Sequence, residues 1–185
     1  LEPNDDPKKK LKYGWRLVDH ENGHFTGVDT SLPNRVLRAG LEAQAIEALA
    51  AYTTVRPEVK YGENSRVDFL LSQNGLPDAY VEVKSLTLSR TRGQAEFPDS
   101  VTARGTKHMH ELAQVARAGH RAVLLYLVQR TDCTHVDIAA DIDPKYAAAH
   151  ADATKAGVET ICIGTHITPQ GITLAAPLAL GRPAR

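Results

Sequence analysis

The sequence predicts an α/β protein: a mixed central sheet flanked by helices, with a short β segment ahead of it. Three observations carry this. Residues 67–72 and 79–86 alternate apolar and polar, the period of half-buried strands, on either side of a turn containing Asn74-Gly75. Residues 121–128 are almost continuously apolar, as in a parallel strand covered on both faces. Segments of helical spacing that open at Leu32-Pro33, near Ser100 and at Asp143-Pro144 are interleaved with these strands. No internal repeat or low-complexity segment is visible.

The elements follow in order. Residues 4–10 are polar and read as a loop. Residues 13–19 and 24–28 read as two strands around Glu21-Asn22-Gly23, a hairpin turn. Trp15 lies on that hairpin. A lone Trp is more often core or interface than a platform for a stacked base. Thr30-Ser31-Leu32-Pro33 opens a helix, with Pro in its first turn, and Leu37, Leu41, Ala45, Ile46 and Leu49 form its apolar stripe. Strands follow at 55–61, 67–72 and 79–86. Residues 87–96, with Arg90, Arg92 and Gly93, read as a basic loop able to act as a flap. A helix over 100–118 is closed by Gly119, and Val101, Met109, Leu112, Val115 and Ala116 make its core face. Arg104, Lys107 and Glu111 run along one flank of that face. His108 falls inside the apolar arc, where a buried, hydrogen-bonded imidazole is the default. Asp143-Pro144 begins a helix by cap and first-turn logic, running to Gly157. Residues 158–163 and 172–175 are late strands.

Composition narrows the classes. With 185 residues, 42% hydrophobic and 24% charged, the chain can bury a full domain plus a smaller piece. No apolar run approaches the roughly eighteen residues of a membrane span. Cys133 and Cys162 make no CxxC pattern, which argues against a zinc site or disulfide framework and suits buried free thiols in a reducing cytoplasm. The histidines show no metal pattern, and no Ser-His-Asp order, P-loop or Gly-rich dinucleotide turn occurs. Net charge is zero, yet eight Lys or Arg and only three acids lie between Lys84 and Arg130. Residues 61–83 lean the other way, with Glu63, Asp68, Asp78 and Glu82 against Arg66. An acidic pocket beside a basic segment suits a metal site with a phosphate track, although scattered solvated charge produces the same count.

The sharpest chemical signal is the 67–86 hairpin. Alternation puts Asp68, Glu82 and Lys84 on one face. Two carboxylates and an ammonium at one spot are costly inside a sheet unless the carboxylates hold a cation. Mg²⁺ or Mn²⁺ takes hard oxygen ligands and keeps several waters, so Asp68 and Glu82 suffice, with a backbone carbonyl such as that of Val83 as a further ligand. Lys84 would then position an attacking water and offset charge on a phosphodiester. The same three residues also fit a cross-strand ion pair at a solvated face, contributing a few tenths of a kcal/mol or so.

Further motifs carry a family resemblance. These are Leu32-Pro33-Asn34-Arg35, Glu58-Val59-Lys60-Tyr61-Gly62, Ser65-Arg66-Val67-Asp68-Phe69-Leu70 and Val81-Glu82-Val83-Lys84-Ser85. Phe97-Pro98-Asp99-Ser100 with Arg104-Gly105-Thr106-Lys107-His108, Asp143-Pro144-Lys145-Tyr146 and Gly157-Val158-Glu159 complete the set. The chain resembles the sugar fermentation stimulation protein A (SfsA) family over nearly its whole length. The resemblance implies a PD-(D/E)XK nuclease-like domain over 31–185, preceded in 1–30 by the C-terminal part of an OB-like domain. It implies DNA as partner and Asp68, Glu82 and Lys84 as the catalytic set, with Mg²⁺ or Mn²⁺ on Asp68 and Glu82. Asn34, Arg35, Arg66, Arg104, Lys107 and His108 are the DNA-contact candidates. In nucleases of this fold the first helix sometimes donates a further carboxylate, here Glu42 or Glu47, although a solvated helix face accounts for both. The competing function is a non-catalytic DNA-binding regulator of sugar (maltose) metabolism genes, which would not need acids facing phosphate. A sugar-metabolism accessory protein without nucleic acid is disfavoured, because no cluster of sugar-stacking aromatics is present.

Overall fold

Residues 121–128 form an inner strand of the sheet, buried on both faces, as their composition predicts. The computed structural model describes residues 1–8, 10–62 and 65–181. Glu63, counted above among the acids of residues 61–83, lies outside the described residues. In chain order the elements are β1 (Glu2–Pro3), β2 (Tyr13–Gly14), β3 (Leu17–Asp19), β4 (Phe25–Gly27), α1 (Leu32–Glu42), β5 (Thr54–Tyr61), β6 (Ser65–Ser72) and β7 (Ala79–Leu86). They continue as β8 (Leu88–Thr91), β9 (Gly93–Phe97), α2 (Ala103–Arg117), β10 (Arg121–Val128), β11 (Cys133–Ile138), α3 (Pro144–Lys155), β12 (Glu159–Thr168) and β13 (Gly171–Leu180).

The main sheet has nine strands in the order β5-β6-β7-β10-β12-β13-β11-β9-β8. The strands β5, β6 and β7 form an antiparallel meander, and β10 runs parallel to both β7 and β12. The predicted 67–86 hairpin therefore exists, in a mixed sheet. Helices cover both faces. On one, α1 packs Leu37 and Leu41 on Phe69, Leu71, Val81, Val83, Val123, Leu125 and Leu127. On the other, Met109 and Leu112 of α2 and Tyr146 and Ala149 of α3 pack on Leu86, Leu124, Tyr126 and Val128. The odd and even residues of β7 and β10 thus serve two separate cores, as strand alternation requires.

Several expectations need correction. The first helix ends at Glu42, because the chain turns through Gln44 at φ 54°. Ile46 and Leu49 still reach the core, Ile46 from just before and Leu49 from within a following 3₁₀ turn (Glu47–Leu49), and Ala45 is exposed. The second helix begins at Ala103, where the Thr102 hydroxyl accepts the Gly105 N–H at 3.0 Å, so Val101 stays outside it and is 74% exposed. Residues 13–19 are two short strands broken at Trp15-Arg16, each paired to a different partner. Trp15 is no core residue: it is 63% exposed and donates its indole N–H to the Leu17 carbonyl. The basic loop is instead the β8–β9 hairpin at the far edge of the sheet. Arg90 there is tied to Glu96 and Asp141, so it is no free flap cation. Strand β11 escaped the sequence reading because its polar Thr134, His135 and Asp137 mask the alternation.

Other expectations hold. Asp143 caps α3 by accepting Lys145 N–H and Tyr146 N–H, and its second oxygen accepts Thr102 N–H, joining two helix starts. Cys133 and Cys162 are buried free thiols. Among the described residues, no helix is long and apolar enough to cross a membrane.

Candidate functional site

The site forms where the β6–β7 ladder stops. Their pairing ends at Phe69↔Val81. Beyond that point the strands diverge, and Val83 N–H gains a side-chain partner instead of a backbone one. Asp68 Oδ2 accepts it at 2.7 Å, and Asp68 Oδ1 accepts the side-chain amide of Asn34 at 2.9 Å. Asn34 lies in the first turn of α1, so helix and sheet together fix this carboxylate. Burial and then the neighbouring charge of Glu82 push the Asp68 carboxyl above its ordinary value, against its two hydrogen bonds and the charge of Lys84.

Glu82 is 2% exposed and faces α2. Its Oε1 accepts from Lys84 Nζ at 2.7 Å and from His108 Nδ1. Burial pushes this carboxyl up, but the His108 hydrogen bond and the Lys84 charge outweigh it, so Glu82 sits below its ordinary value. Among the described residues its other oxygen, Oε2, is buried without a hydrogen-bond partner. A buried carboxylate oxygen without a partner is expensive and calls for a cation or water. Asp68, Glu82 and Lys84 are thus brought together as the alternation predicts, within a half-buried setting and not on a solvated sheet face.

A cleft of about 580 Å³ opens beside them, lined by Glu58, Ser65, Arg66, Asp68, Ala103, Arg104, Lys107 and His108. Arg66, Arg104 and Lys107 give it a cationic wall next to the carboxylates. His108 is 3% exposed, and its polar contacts are to Glu82, Lys84 and Arg104. Arg35 points elsewhere. It lies 3.9 Å from Asp29 and lines a separate groove with Arg16 and Leu32. Glu42 pairs with Arg38, and Glu47 lines an apolar groove with Ile161 and Leu174. The first helix thus contributes Asn34 to the site, while Glu42, paired with Arg38, and Glu47, in the 3₁₀ turn after the helix, lie elsewhere.

Two further acids at the cleft are not among the site candidates read from the sequence. Glu58, at φ 55°, lines the cleft from β5. Glu111 is 8% exposed and accepts the Ser65 hydroxyl at 2.7 Å, with Lys107 Nζ at 3.5 Å. Burial, then the charges of Glu82, Glu111 and Asp68, hold the nearby Tyr61 hydroxyl protonated well past its ordinary range. A carboxylate on the flank of an amphipathic helix gave no sequence signal that it would face inward.

The basic segment is less continuous than its composition implies. Arg90, Arg121 and Arg130 are each paired with acids, Arg121 with Glu159 and Arg130 with Asp132. The cations at the site are Lys84, paired with Glu82, and Arg66, Arg104 and Lys107, which line the cleft.

The donor set fits a hard divalent cation. It offers carboxylate oxygens, one of them buried and unpartnered, and an Asp68 carboxyl that a cation would relieve of its raised value. Among the described residues, no three His, Cys, Asp or Glu side chains converge as a protein-only metal centre. A cation held by Asp68 and Glu82 would therefore keep water or phosphate ligands, as Mg²⁺ does.

Comparison with known proteins adds the following. Residues 31–171 match the family model described as "Sugar fermentation stimulation protein RE domain". A sugar fermentation stimulation protein homolog of Roseobacter denitrificans is 73% identical over 180 residues, covering 97% of this chain and 77% of that protein. The homolog of Ruegeria pomeroyi is 70% identical over 175 residues, covering 95% and 76%. Among solved structures, Pyrococcus furiosus SfsA in complex with Ca²⁺ superposes with a TM-score of 0.80 at 28% identity, over 87% of this chain and 69% of that one.

Proposed function

The chain belongs to the sugar fermentation stimulation protein family, and from that premise we propose that its cleft is a divalent-cation-dependent phosphodiesterase site acting on DNA. The observation that carries this reading is the buried, unpartnered Oε2 of Glu82, set beside Asp68 and Lys84 at the edge of a cationic cleft. In this reading the mixed sheet is of the PD-(D/E)XK nuclease kind over 31–185, and residues 1–30 are the end of an OB-like domain.

Asp68 and Glu82 would hold Mg²⁺ or Mn²⁺. Bound there, the ion would supply an acidified water and neutralise charge on the phosphodiester. The Ca²⁺ complex of the Pyrococcus furiosus relative supports a divalent ion of this type.

The remaining work belongs to the chain. Asn34 and Val83 N–H favour the ionised form of Asp68 and aim it, by donating to its two oxygens. Lys84 neutralises Glu82 at rest and stands where it can orient water and offset charge that develops on phosphate. Arg66, Arg104 and Lys107 hold the backbone phosphates and fix its register without reading sequence.

The test is incubation of the purified protein with single- and double-stranded DNA, in Mg²⁺, Mn²⁺ or EDTA. Cleavage that needs the metal and vanishes in Lys84→Ala is expected. DNA binding with no cleavage under any of these conditions would replace this reading with that of a non-catalytic regulator. Cleavage that survives EDTA would mean a different site.

A further inference from the structure

His108 sits on α2 between two groups of the cleft. Its Nδ1 is bonded to Glu82 Oε1, and Lys84 Nζ is 3.1 Å from the same nitrogen. Its Nε2 faces Arg104 Nε at 3.5 Å, one helical turn back. Proton counting orders these contacts. An ionised carboxylate only accepts, so Nδ1 carries the hydrogen that goes to Glu82. A guanidinium only donates, so Nε2 presents its lone pair to Arg104. Lys84 then donates to Glu82 Oε1, at 2.7 Å, and merely lies against Nδ1. The donors therefore run in one direction, from Arg104 through His108 to Glu82.

We infer that His108 is a positioning residue that couples the two ends of this site: one nitrogen holds Glu82 so that Oε2 is left for a divalent cation, and the other backs Arg104 so that its remaining N–H groups face a phosphodiester. This rests on the reading of the cleft as a metal-dependent DNA site. It also reassigns His108. At 3% exposure the imidazole touches no DNA itself and acts through its neighbours. Groups that orient a metal ligand typically contribute about 10–100-fold to metal affinity.

The experiment has two arms on the full chain. The first reads the imidazole of His108 by long-range ¹H–¹⁵N correlation in the metal-free protein. A single tautomer protonated at Nδ1 is expected, and one protonated at Nε2 overturns the bridge. The second measures Mn²⁺ affinity by calorimetry, and DNA affinity in EDTA at fixed salt, for the wild type and three variants. His108→Ala should weaken Mn²⁺ binding by about 10–100-fold and weaken DNA binding too. His108→Asn places an amide where Nδ1 stands, so it should restore Mn²⁺ affinity and not DNA affinity. His108→Gln places one where Nε2 stands and should do the reverse. Both keep a polar side chain of similar reach, so they remain informative if the alanine variant fails to fold. Equal affinities in all variants, or the same rescue by Asn and Gln, would overturn the coupling. A wild type that binds no Mn²⁺ would sink the proposed function, and the tautomer would then decide the bridge alone.

Discussion

Glu82→Gln removes one buried charge and leaves the shape of the site almost unchanged. Glu82 Oε1 accepts two hydrogen bonds, from Lys84 at 2.7 Å and from His108, and the Lys84 side chain is only 14% exposed. Deleting one partner of a buried pair costs about 3–5 kcal/mol, because the other charge is left uncompensated. Glutamine keeps a carbonyl acceptor, so about 2 kcal/mol is expected at neutral pH, nearer the worth of one charge-assisted bond. For a chain of this length that lowers the thermal midpoint by roughly 4–8 °C. The pH dependence has a definite sign. The folded Glu82 carboxyl lies below its ordinary value of 4.5, so its stabilisation is fully present above that value. It is lost as pH falls through the lowered folded value. The gap between wild type and Glu82→Gln should therefore be constant above about pH 5 and close progressively below it. Urea unfolding followed by circular dichroism between pH 3 and 8 measures this. A gap that persists unchanged at the acid end, or a variant more stable than wild type at pH 7, would refute the assignment of Glu82 as an ionised partner of Lys84 and His108.

Other consequences follow from the cleft and its surroundings. Replacing Arg104 and Lys107 together by Gln should weaken DNA binding for all sequences and flatten the slope of log affinity against log salt by roughly 2, read by fluorescence anisotropy across a salt series. Arg90→Ala cuts the links to Glu96 and Asp141 at the far edge of the sheet, so thermal melts should show a lower midpoint while DNA affinity stays at the wild-type value. Gly27→Ala would place a methyl carbon 2.8 Å from Gln129 Oε1, whose side chain is held by Ser85. Limited proteolysis should then cut the β3–β4 segment faster than in wild type.

The parts of the fold legible in the sequence are those where one face is plainly apolar. The run from Arg121 to Val128 and the alternation from Val67 to Leu86 each fix which side chains are buried, and the strands appear where expected. The Asp68, Glu82 and Lys84 constellation follows from that alternation alone. Several misreadings come from buried polar side chains. Gln94 and Glu96 are 7% and 5% exposed in β9, yet they read as part of a basic loop, because nothing local shows that Glu96 will pair with Arg90 or that Gln94 will be buried in the sheet. Asn34, a DNA-contact candidate from its place at the helix start, also holds Asp68, a contact across 34 positions that no local pattern encodes. Helix ends were misplaced where tertiary packing, and not a glycine, turns the chain, as at Gln44.

The most direct measurement is a crystal of the protein soaked in Mn²⁺, with data collected at the manganese edge. The expected result is one anomalous peak between Asp68 and Glu82, within about 2.0–2.5 Å of an oxygen of each, with Glu82 Oε2 among the ligands. A peak elsewhere, or none at this pair while their contacts to Asn34, Val83, Lys84 and His108 remain, would contradict the metal site on which the proposed chemistry depends.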